Sequence, residues 1–466
     1  MGITASLFFQ TADRERCLDW RIRPSEDQYD AQQTRWNDLA DYLLADLAER
    51  SGYAMNSWLQ GSYKFGTQVR PAMKGQEFDI DLGVYFNWPG RPQDGELGAL
   101  DLKELVQASL LAYAEDEANE ARSVSDPKIR CSRIHFDDDF HIDVPAYHLD
   151  ASHDARSLAT QDDDWEESDP KAIYTWWCDA LDDAARPRAR RMVRYLKMWA
   201  ALNFEDDVRP SSILLTVLVG ETYPQLDLSR LSGDDEVFRD LVVLIQNRLS
   251  RDSTVPNPAN ADEDLNRLSK AANAGFYEKV TDLALLADRA LVALTQAESA
   301  EIWSEAFRHF FPIPEDDEVL EEVAKSVGRS LVPTAFIPEV SVSARTQVLS
   351  GRQYTGRNQI GPIPKDCMIS FDLVNVLQLP AGAVVTWTVR NAGEEAEAEN
   401  DLGHFVGEGL SAQEHSAYAG RHFMDVAVKL NGRLIGRRRV PVMITGMALP
   451  KRNPPRPSYV KFRGRR

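Results

Sequence analysis

The sequence predicts a mixed α/β fold in three parts: a small sheet flanked by helices, a helical segment, and a β-sandwich at the C-terminal end. Three observations predict this order. One amphipathic helix and several alternating runs occupy the first third of the chain, helical periodicity dominates from residue 170 to about residue 320, and short alternating runs follow Pro333. The 466 residues exceed one ordinary domain, and chains of this length usually form about two to four domains.

The first block combines helices and strands. Residues 28–49 repeat leucines at three- and four-residue intervals, which predicts a helix that ends at Gly52. A second helix is predicted over residues 101–118. The predicted strands cover residues 55–59, 77–86 and 129–149. Residues 150–168 are acidic and polar, and this composition predicts a loop.

The helical segment begins at Ser168-Asp169-Pro170, where a capping side chain precedes a proline at the first helical position. Helical periodicity then predicts helices over residues 170–184, 189–202, 210–221, 237–249, 263–274 and 276–303.

The C-terminal part changes character after Pro333. Alternating runs predict strands over residues 339–349, 366–378, 383–390, 421–430 and 434–444. Asn431-Gly432 between the last two runs predicts a hairpin. We therefore expect a β-sandwich and an extended basic tail, which has four prolines and seven basic residues. The predicted domains are residues 1–165, 166–325, 335–448 and the tail 449–466.

The composition excludes several classes of function. The net charge of -20 repels phosphate, so general binding of nucleic acids or anionic membranes is not expected. The four cysteines have no CxxC spacing and are expected to be reduced thiols. The first residues lack the basic and apolar regions of a signal peptide, and no window reaches the roughly 20 apolar residues of a membrane span. A cytoplasmic protein is therefore expected.

Two carboxylates interrupt the predicted strand 77–86. Alternate side chains of a strand share a face, so Asp79 and Asp81 point away from the core, about 7 Å apart. Paired carboxylates at this spacing bind Mg²⁺ well. The alternative interpretation is a strand whose solvent-facing side carries aspartates by chance.

Two further features favour the metal site. Residues 140–145 again alternate, and pairing with the first strand would place Asp143 beside Asp79 and Asp81. Three crowded acids repel one another unless cations bind them. Gly61-Ser62 precedes the first strand, where a glycine lets phosphate approach backbone N–H groups and a serine adds a hydroxyl donor.

Together these residues resemble the nucleotidyltransferase superfamily related to DNA polymerase β. The segments "WLQGSYKFGTQVRP", "EFDIDLGVYF", "RRMVRYLKMW" and "PSSILL" look like its bacterial cGAS/DncV-like (CD-NTase, SMODS) branch. The resemblance implies a polymerase-β-like nucleotidyltransferase lobe and a helical lobe. It also implies two Mg²⁺ ions, with Mn²⁺ as the alternative, held by the metal-binding and catalytic residues Asp79, Asp81 and Asp143.

The resemblance also implies the phosphate contacts. Gly61 and Ser62 would hold the β- and γ-phosphates of the NTP, ATP or GTP or both. A lysine and a serine of the helical lobe match Lys197 and Ser211, with Ser212 as the neighbour that could replace Ser211. The alternative for Ser211 is a helix cap after Pro210. His141 lies on the same face as Asp143 and is interpreted as an ordinary strand-surface histidine, with a metal neighbour or a base contact as the alternative.

The C-terminal segments "VVTWTVRNAGEEAEAENDLGHF" and "EHSAYAGRHFMDVAVKLNGRLIG" look like the sensor domain associated with adenylyl/guanylyl cyclases and SMODS nucleotidyltransferases. A regulatory protein or ligand is therefore an expected partner of this domain. Most of its aromatic residues are expected to pack in the sandwich core, and His422 is the one residue singled out as a ligand contact.

The resemblance implies an enzyme that joins NTPs into a cyclic di- or trinucleotide in bacterial anti-phage (CBASS-like) signalling. Two alternatives remain open from the sequence. One is transfer of a single NMP to a protein, an RNA or a small molecule. The other is a catalytically silent module that binds nucleotides. The identity of the bases and of the linkage is not predicted.

Overall fold

A computed structural model describes residues 2–13, 17–137, 139–314, 336–346, 352–431 and 433–445. The chain divides into two compact units, Met1–Ile313 and Pro314–Arg466. The predicted tail 449–466 and the end of the predicted strand 339–349 lie outside the described residues. The predicted boundaries within residues 1–325 stay predictions.

The helices of the first unit are α1 (Ala5–Phe8), α2 (Leu18–Ile22), α3 (Glu26–Ser51), α4 (Gly61–Phe65), α5 (Ala99–Ala114), α6 (Pro170–Ala180), α7 (Arg186–Asn203), α8 (Ser212–Thr222), α9 (Asp234–Arg251), α10 (Lys270–Leu291) and α11 (Gln296–Phe307). Its strands are β1 (Ala54–Gln60), β2 (Phe78–Asn87), β3 (Ala121–Val124), β4 (Ser132–Phe136), β5 (Phe140–Val144), β6 (Ala146–Asp150), β7 (Ala155–Ala159), β8 (Trp165–Glu167), β9 (Pro256–Asn257) and β10 (Asn260–Asp264).

The predicted end of α3 at Gly52 and the predicted start of α6 at Asp169-Pro170 are confirmed, and the structure adds a capping box at the start of α3 that the sequence analysis did not use. Ser25 Oγ accepts a hydrogen bond from the Gln28 amide at 3.2 Å, and the Ser25 amide donates to Gln28 Oε1 at 3.0 Å, which forms a capping box at the start of α3. Gly52 ends α3 with a φ of 73°, a conformation that favours glycine. At α6, Asp169 Oδ1 accepts from the Ala172 amide at 2.9 Å.

A mixed sheet organises the first unit. In the described residues it has eight strands, and β2 is central. β1 pairs antiparallel with one edge of β2, while β5 and β6, separated only by Pro145, pair parallel with it. One face of β2 contributes Phe78, Ile80 and Leu82 to a core that also contains residues of α3 and α5. The opposite face of β2 is therefore available for polar side chains.

Three sequence predictions for the first unit were wrong, and they concern residues 150–168, 263–274 and 276–303. The strand-like stretch 129–149 divides into β4, β5 and β6, with a separate strand over residues 140–144 as expected, whereas the predicted loop 150–168 contains β7 and β8. β7 pairs with β6 across the short turn at residues 151–154, and this pairing orders a polar sequence whose composition has no strand signal of its own. The predicted helix 263–274 begins only at Lys270, because Ser269 Oγ caps α10 by accepting from the Ala272 amide at 3.2 Å.

The predicted helix 276–303 is likewise two helices, α10 and α11. Thr295 Oγ1 accepts from the Glu298 amide at 3.1 Å and so begins α11 as a new helix.

The second unit is a β-sandwich, as predicted. Its elements are β11 (Val340–Thr346), β12 (Gln353–Arg357), β13 (Ile360–Pro364), β14 (Cys367–Leu373), β15 (Ala383–Arg390), α12 (Glu394–Ala398), β16 (Gly403–Glu408), β17 (Ser411–His415), β18 (Gly420–Leu430) and β19 (Arg433–Thr445). One sheet has the order β12-β11-β14-β17 and the other β13-β19-β18-β15-β16. Buried residues of both sheets, Trp387 and Phe371 among them, form one core. The predicted hairpin is confirmed by antiparallel pairing of β18 with β19.

Two further sequence expectations concern the whole chain. Cys17, Cys131, Cys178 and Cys367 all lie in described segments and are free thiols. Within the segments that the structure describes, no helix combines the length and the apolar character that crossing a membrane requires.

Candidate active site

The polar face of β2 presents its carboxylates in the predicted alternation. Phe78, Ile80 and Leu82 are buried in the core, so the side chains of Asp79 and Asp81 point to the other face. Asp79 is 55% exposed and Asp81 is half-buried.

The strand register brings the third predicted carboxylate to this face. In the parallel pair of β2 with β5, Asp79 lies beside His141 and Asp81 lies beside Asp143. In the antiparallel pair of β5 with β4, His141 lies beside His135 and Asp143 lies beside Arg133.

The face therefore carries two rows of side chains across three strands. The upper row is Asp81, Asp143 and Arg133. The lower row is Asp79, His141 and His135. The predicted pairing of the two aspartate-bearing strands is confirmed.

Asp143 is held by cationic side chains. Arg133 donates from Nε to Asp143 Oδ1 at 2.5 Å and from Nη2 to Oδ2 at 2.7 Å, and Lys128 Nζ lies 3.6 Å from Oδ2. Burial raises the pKa of Asp143, but the hydrogen bonds and charge of Arg133 outweigh burial, so this pKa lies below its ordinary value. Asp143 is therefore an ionised carboxylate with a fixed orientation.

Asp81 experiences the opposite environment. Burial, together with the negative charges of Asp79 and Asp143, raises the pKa of Asp81 to about 8, against the opposing charges of Lys197 and Arg133. A cation between these carboxylates would remove this repulsion. Oxygen atoms of Asp79 and Asp143 and a nitrogen of His141 also lie within 4.8 Å of one another. The donor set fits hard divalent cations such as Mg²⁺, which prefer carboxylate oxygen.

The pKa of Asp81 predicts a pH dependence of cation binding. Between about pH 4 and pH 8 the unfolded chain ionises Asp81 while the metal-free fold keeps it protonated, so its contribution to stability falls as the pH rises. A cation must displace that proton. We expect Mg²⁺ affinity to rise about fivefold from pH 7 to pH 8, by about a further twofold above pH 8, and then to level off. Calorimetric titration in buffers of different ionisation enthalpy measures both affinity and proton release, and equal affinity at pH 6.5 and pH 8.5 would contradict this assignment.

Gly61 lies directly against Asp81. Its φ is 56°, and a Cβ atom at this position would stand 1.8 Å from Asp81 Oδ2. Glycine is therefore required both by the backbone conformation and by the space that the carboxylate occupies. Ser62 follows in α4, is half-buried, and its carbonyl accepts from the Thr67 amide at 2.9 Å.

Lys197 reaches the same site from α7. It is 8% exposed, and its Nζ donates to the Thr67 carbonyl at 3.0 Å. Burial lowers the pKa of Lys197 to about 8, although the charges of Asp79 and Asp81 act in the opposite direction. The ammonium group therefore lies within electrostatic reach of both carboxylates, beside the turn that follows Gly61 and Ser62.

Ser211 is the helix cap that the sequence alternative predicted. Its Oγ accepts from the Leu214 amide at 3.3 Å at the start of α8, and its side chain is exposed. Ser212 is the first residue of α8 and is also exposed. The structure brings Lys197 to the carboxylates and gives Ser211 a local role at its own helix.

Sequence reasoning missed the partners of the carboxylates. His141 is buried and contacts Asp79 through Nε2 at 2.9 Å, so its interpretation as a surface histidine was wrong. Arg133 and His135 were not singled out, and neither was Glu77. The signal was present, because Arg133 and His135 alternate with buried residues in β4. Within residues 129–149, alternation was used only for residues 140–145, so the same pattern in residues 132–136 was overlooked.

His422 lies near the start of β18 in the second unit, and its expected role as a ligand contact stays a prediction. It is 4% exposed and lies 6.4 Å from the ring of Tyr418. Burial lowers the pKa of His422, with the Tyr418 and Ala419 backbones acting in the opposite direction. His422 is therefore a buried histidine of the second unit.

Two family descriptions match the chain. "Cyclic GMP-AMP synthase DncV-like, nucleotidyltransferase domain" matches residues 55–147, which contain all three aspartates. "Adenylyl/Guanylyl and SMODS C-terminal sensor domain" matches residues 325–445.

Characterised relatives are similar over long stretches. A cyclic GMP-AMP synthase of Escherichia albertii is 27% identical over 452 residues, which is 94% of this chain and 96% of that protein. A c-di-GMP synthase of Roseivirga ehrenbergii is 23% identical over 292 residues, 55% of this chain and 74% of that protein. The crystal structure of Escherichia coli DncV bound to 3'-deoxy GTP covers 66% of this chain and 97% of its own, with 19% identity and a TM-score of 0.55. At this identity the structural match shows a common fold.

Proposed function

Since the chain is a nucleotidyltransferase of the cGAS/DncV type with a C-terminal adenylyl/guanylyl and SMODS sensor domain, we propose that it joins NTPs into a cyclic di- or trinucleotide and releases pyrophosphate. The observation that carries this proposal is the register of β2 with β5, which sets Asp143 beside Asp81 and next to Asp79. The relatives named as cyclic GMP-AMP and c-di-GMP synthases support the product class.

Asp79, Asp81 and Asp143 are the proposed metal ligands and catalytic residues, holding two Mg²⁺ ions or, alternatively, Mn²⁺. When bound, these cations supply charge neutralisation at the reacting phosphate and at the leaving pyrophosphate. The carboxylates fix the position of the acceptor sugar relative to the donor NTP. Arg133 holds Asp143 ionised and oriented.

The reaction is an in-line substitution. The sugar hydroxyl oxygen forms a bond to the α-phosphorus, the bond from that phosphorus to the bridging oxygen of the β-phosphate breaks, and pyrophosphate leaves. An Asp143 carboxylate oxygen accepts the hydroxyl proton. A second substitution, in which the free sugar hydroxyl of the linear intermediate attacks the α-phosphorus of its own triphosphate, closes the ring and releases a second pyrophosphate. A trinucleotide needs one more condensation, which releases a third.

The proposed donor contacts are those of Gly61, Ser62, Lys197 and Ser211. Because Gly61 has no side chain, a phosphate can approach the backbone N–H groups of this turn, and the Ser62 hydroxyl adds a donor. The Lys197 ammonium provides the cationic contact to the triphosphate. Because Ser211 is exposed at the start of α8, its hydroxyl remains accessible to phosphate while its Oγ caps the helix.

Lys197 gives a prediction with a matched control. Lys197→Met is expected to raise the KM for the NTP about ten- to a hundredfold, because a charge-assisted contact contributes about 1.5–3 kcal/mol. Lys103→Met is the control, since Lys103 is also buried, also donates to a backbone carbonyl (Lys128, 2.9 Å) and also has a pKa lowered to about 8. Steady-state kinetics should show a raised KM in Lys197→Met and a nearly unchanged KM in Lys103→Met. An unchanged KM in Lys197→Met, or equal increases in both variants, would contradict the phosphate contact.

The proposed setting is a cytoplasmic anti-phage signalling system in which the C-terminal domain receives a regulatory ligand or protein. Metal-dependent release of pyrophosphate from NTPs without added acceptor tests the enzymatic proposal. Release that requires an added protein, RNA or small molecule would instead identify single NMP transfer. Absence of release with either Mg²⁺ or Mn²⁺ would favour a silent nucleotide-binding module.

A further inference from the structure

A second cluster of metal-binding side chains lies next to the carboxylates, at the start of β2. Glu77 precedes β2, His135 lies on β4 and His141 lies on β5, so three neighbouring strands converge there. His135 Nδ1 is 2.7 Å and His141 Nδ1 is 3.0 Å from the same oxygen, Glu77 Oε2. One ligand atom from each of the three residues lies within 4.8 Å of the other two.

The second nitrogen of each histidine has a hydrogen-bond partner outside the cluster. His141 Nε2 lies 2.9 Å from Asp79 Oδ1, and His135 Nε2 lies 2.7 Å from Ser125 Oγ. Metal-bound histidines almost always use the free ring nitrogen as a donor to a carboxylate or another oxygen. Without an ion, the Nδ1 atoms that face Glu77 Oε2 share protons with that carboxylate. A bound ion would replace those protons, and each ring would then bind the ion through Nδ1 and donate from Nε2 to its outer partner.

The spacing of the inward atoms suits a tetrahedral ion. Ligands about 2.0–2.1 Å from a tetrahedral Zn²⁺ lie about 3.3 Å from one another. The two Nδ1–Oε2 distances, 2.7 and 3.0 Å, are slightly shorter, so a small outward shift of the side chains would accommodate the ion. Arg122 pairs with the other oxygen, Glu77 Oε1, and so leaves Oε2 to the cluster while fixing the carboxylate.

The donor types distinguish this cluster from the aspartate site. Two imidazoles and one carboxylate favour Zn²⁺ or a similar transition metal, whereas Mg²⁺ prefers oxygen ligands alone. The three side chains are mostly buried. A tetrahedral ion that they hold has one further coordination position, which water can occupy.

We propose that Glu77, His135 and His141 form a second metal site that binds one Zn²⁺-class ion and is distinct from the site of Asp79, Asp81 and Asp143. The proposal does not depend on the proposed function. An ion at this site fixes the ring of His141, and His141 in turn fixes the Asp79 carboxylate. The ion is a positioning element for Asp79 and does not contact the substrate.

The test is Zn²⁺ binding by the full-length chain in the presence of excess Mg²⁺. Chelator-treated protein is saturated with about 10 mM Mg²⁺, titrated with Zn²⁺ in a calorimeter, and analysed for bound metal after dialysis. We expect one equivalent of Zn²⁺ in the wild type and an affinity at least a hundredfold lower in His135→Ala and Glu77→Gln. Co²⁺ substitution should give the visible absorption of a tetrahedral nitrogen and oxygen site.

Three variants give the test its controls. His153→Ala removes an exposed histidine that pairs with Asp150 outside the cluster and should bind Zn²⁺ like the wild type. Asp81→Asn should also retain Zn²⁺, and loss of Zn²⁺ there would place the ion at the aspartates and overturn the proposal. Thermal unfolding of each variant in Mg²⁺ alone identifies misfolding. If His135→Ala does not fold, His135→Gln takes its place.

Two further results would overturn the proposal. One is a wild type that binds no Zn²⁺ in excess Mg²⁺. The other is a folded His135 variant that binds Zn²⁺ with wild-type affinity. Either would leave the cluster as a hydrogen-bonded network that connects Ser125 to Asp79 without a metal.

Discussion

Asp81→Asn is expected to lower nucleotide condensation about a thousandfold or more, equivalent to about 4 kcal/mol of transition-state stabilisation, and to stabilise the metal-free protein. The two effects have one cause. Asp81 lies between Asp79 and Asp143, and their negative charges with burial raise its pKa to about 8. A neutral amide removes that repulsion and also removes a metal ligand.

The expected gain in stability of the metal-free Asp81→Asn protein at pH 8.5 is on the order of 1–3 kcal/mol. Denaturant unfolding with chelator present measures it, and the gain should shrink at pH 5, where the folded wild type keeps Asp81 protonated. Asp137→Asn is the matched control, because Asp137 is exposed in the turn between β4 and β5. A variant that keeps more than a tenth of the turnover, or that is destabilised in chelator, would contradict the role given to Asp81.

Gly61→Ala is expected to reduce turnover about a hundredfold and to destabilise the fold by about 1–3 kcal/mol. The new Cβ would stand 1.8 Å from Asp81 Oδ2, so either the turn or the carboxylate must move. A displacement of this kind affects both metal binding and the space left for phosphate.

Gly52→Ala isolates the backbone contribution. Gly52 has a φ of 73° and nothing lies within 4 Å of the position of its Cβ. This variant should lose about 1 kcal/mol of stability, through the left-handed conformation alone, and keep wild-type turnover. Steady-state kinetics and denaturant unfolding compare the two alanine variants. Equal turnover in both would show that the contact between Gly61 and Asp81 has no catalytic consequence.

The sequence was sufficient where the signal is local. The end of α3 at Gly52, the Asp169-Pro170 start of α6 and the alternation in β2 each depend on residues a few positions apart. The position of Asp143 needed one further assumption, that β5 pairs with β2, and the register bears it out.

The partners of the carboxylates could not be predicted in the same way. Arg133 reaches Asp143 because β4 pairs with β5 in one register, and a shift by one residue would turn Arg133 to the other face. Likewise, the contact between Gly61 and Asp81 depends on β1 pairing Gln60 with Asp81. β7 and β8 were missed because their polar residues form strands only through pairing with β6 and with each other.

The most direct test of the proposed cyclic nucleotide synthesis is the mass of the product that the full-length protein makes from all four NTPs with Mg²⁺. Phosphatase treatment before mass spectrometry removes every terminal phosphate and leaves a cyclic product intact. We expect the wild-type protein to make a phosphatase-resistant cyclic di- or trinucleotide. This product should be absent from the Asp81→Asn reaction and present in the Asp137→Asn reaction. A product that is only linear, or a single NMP attached to an acceptor, would contradict this proposal.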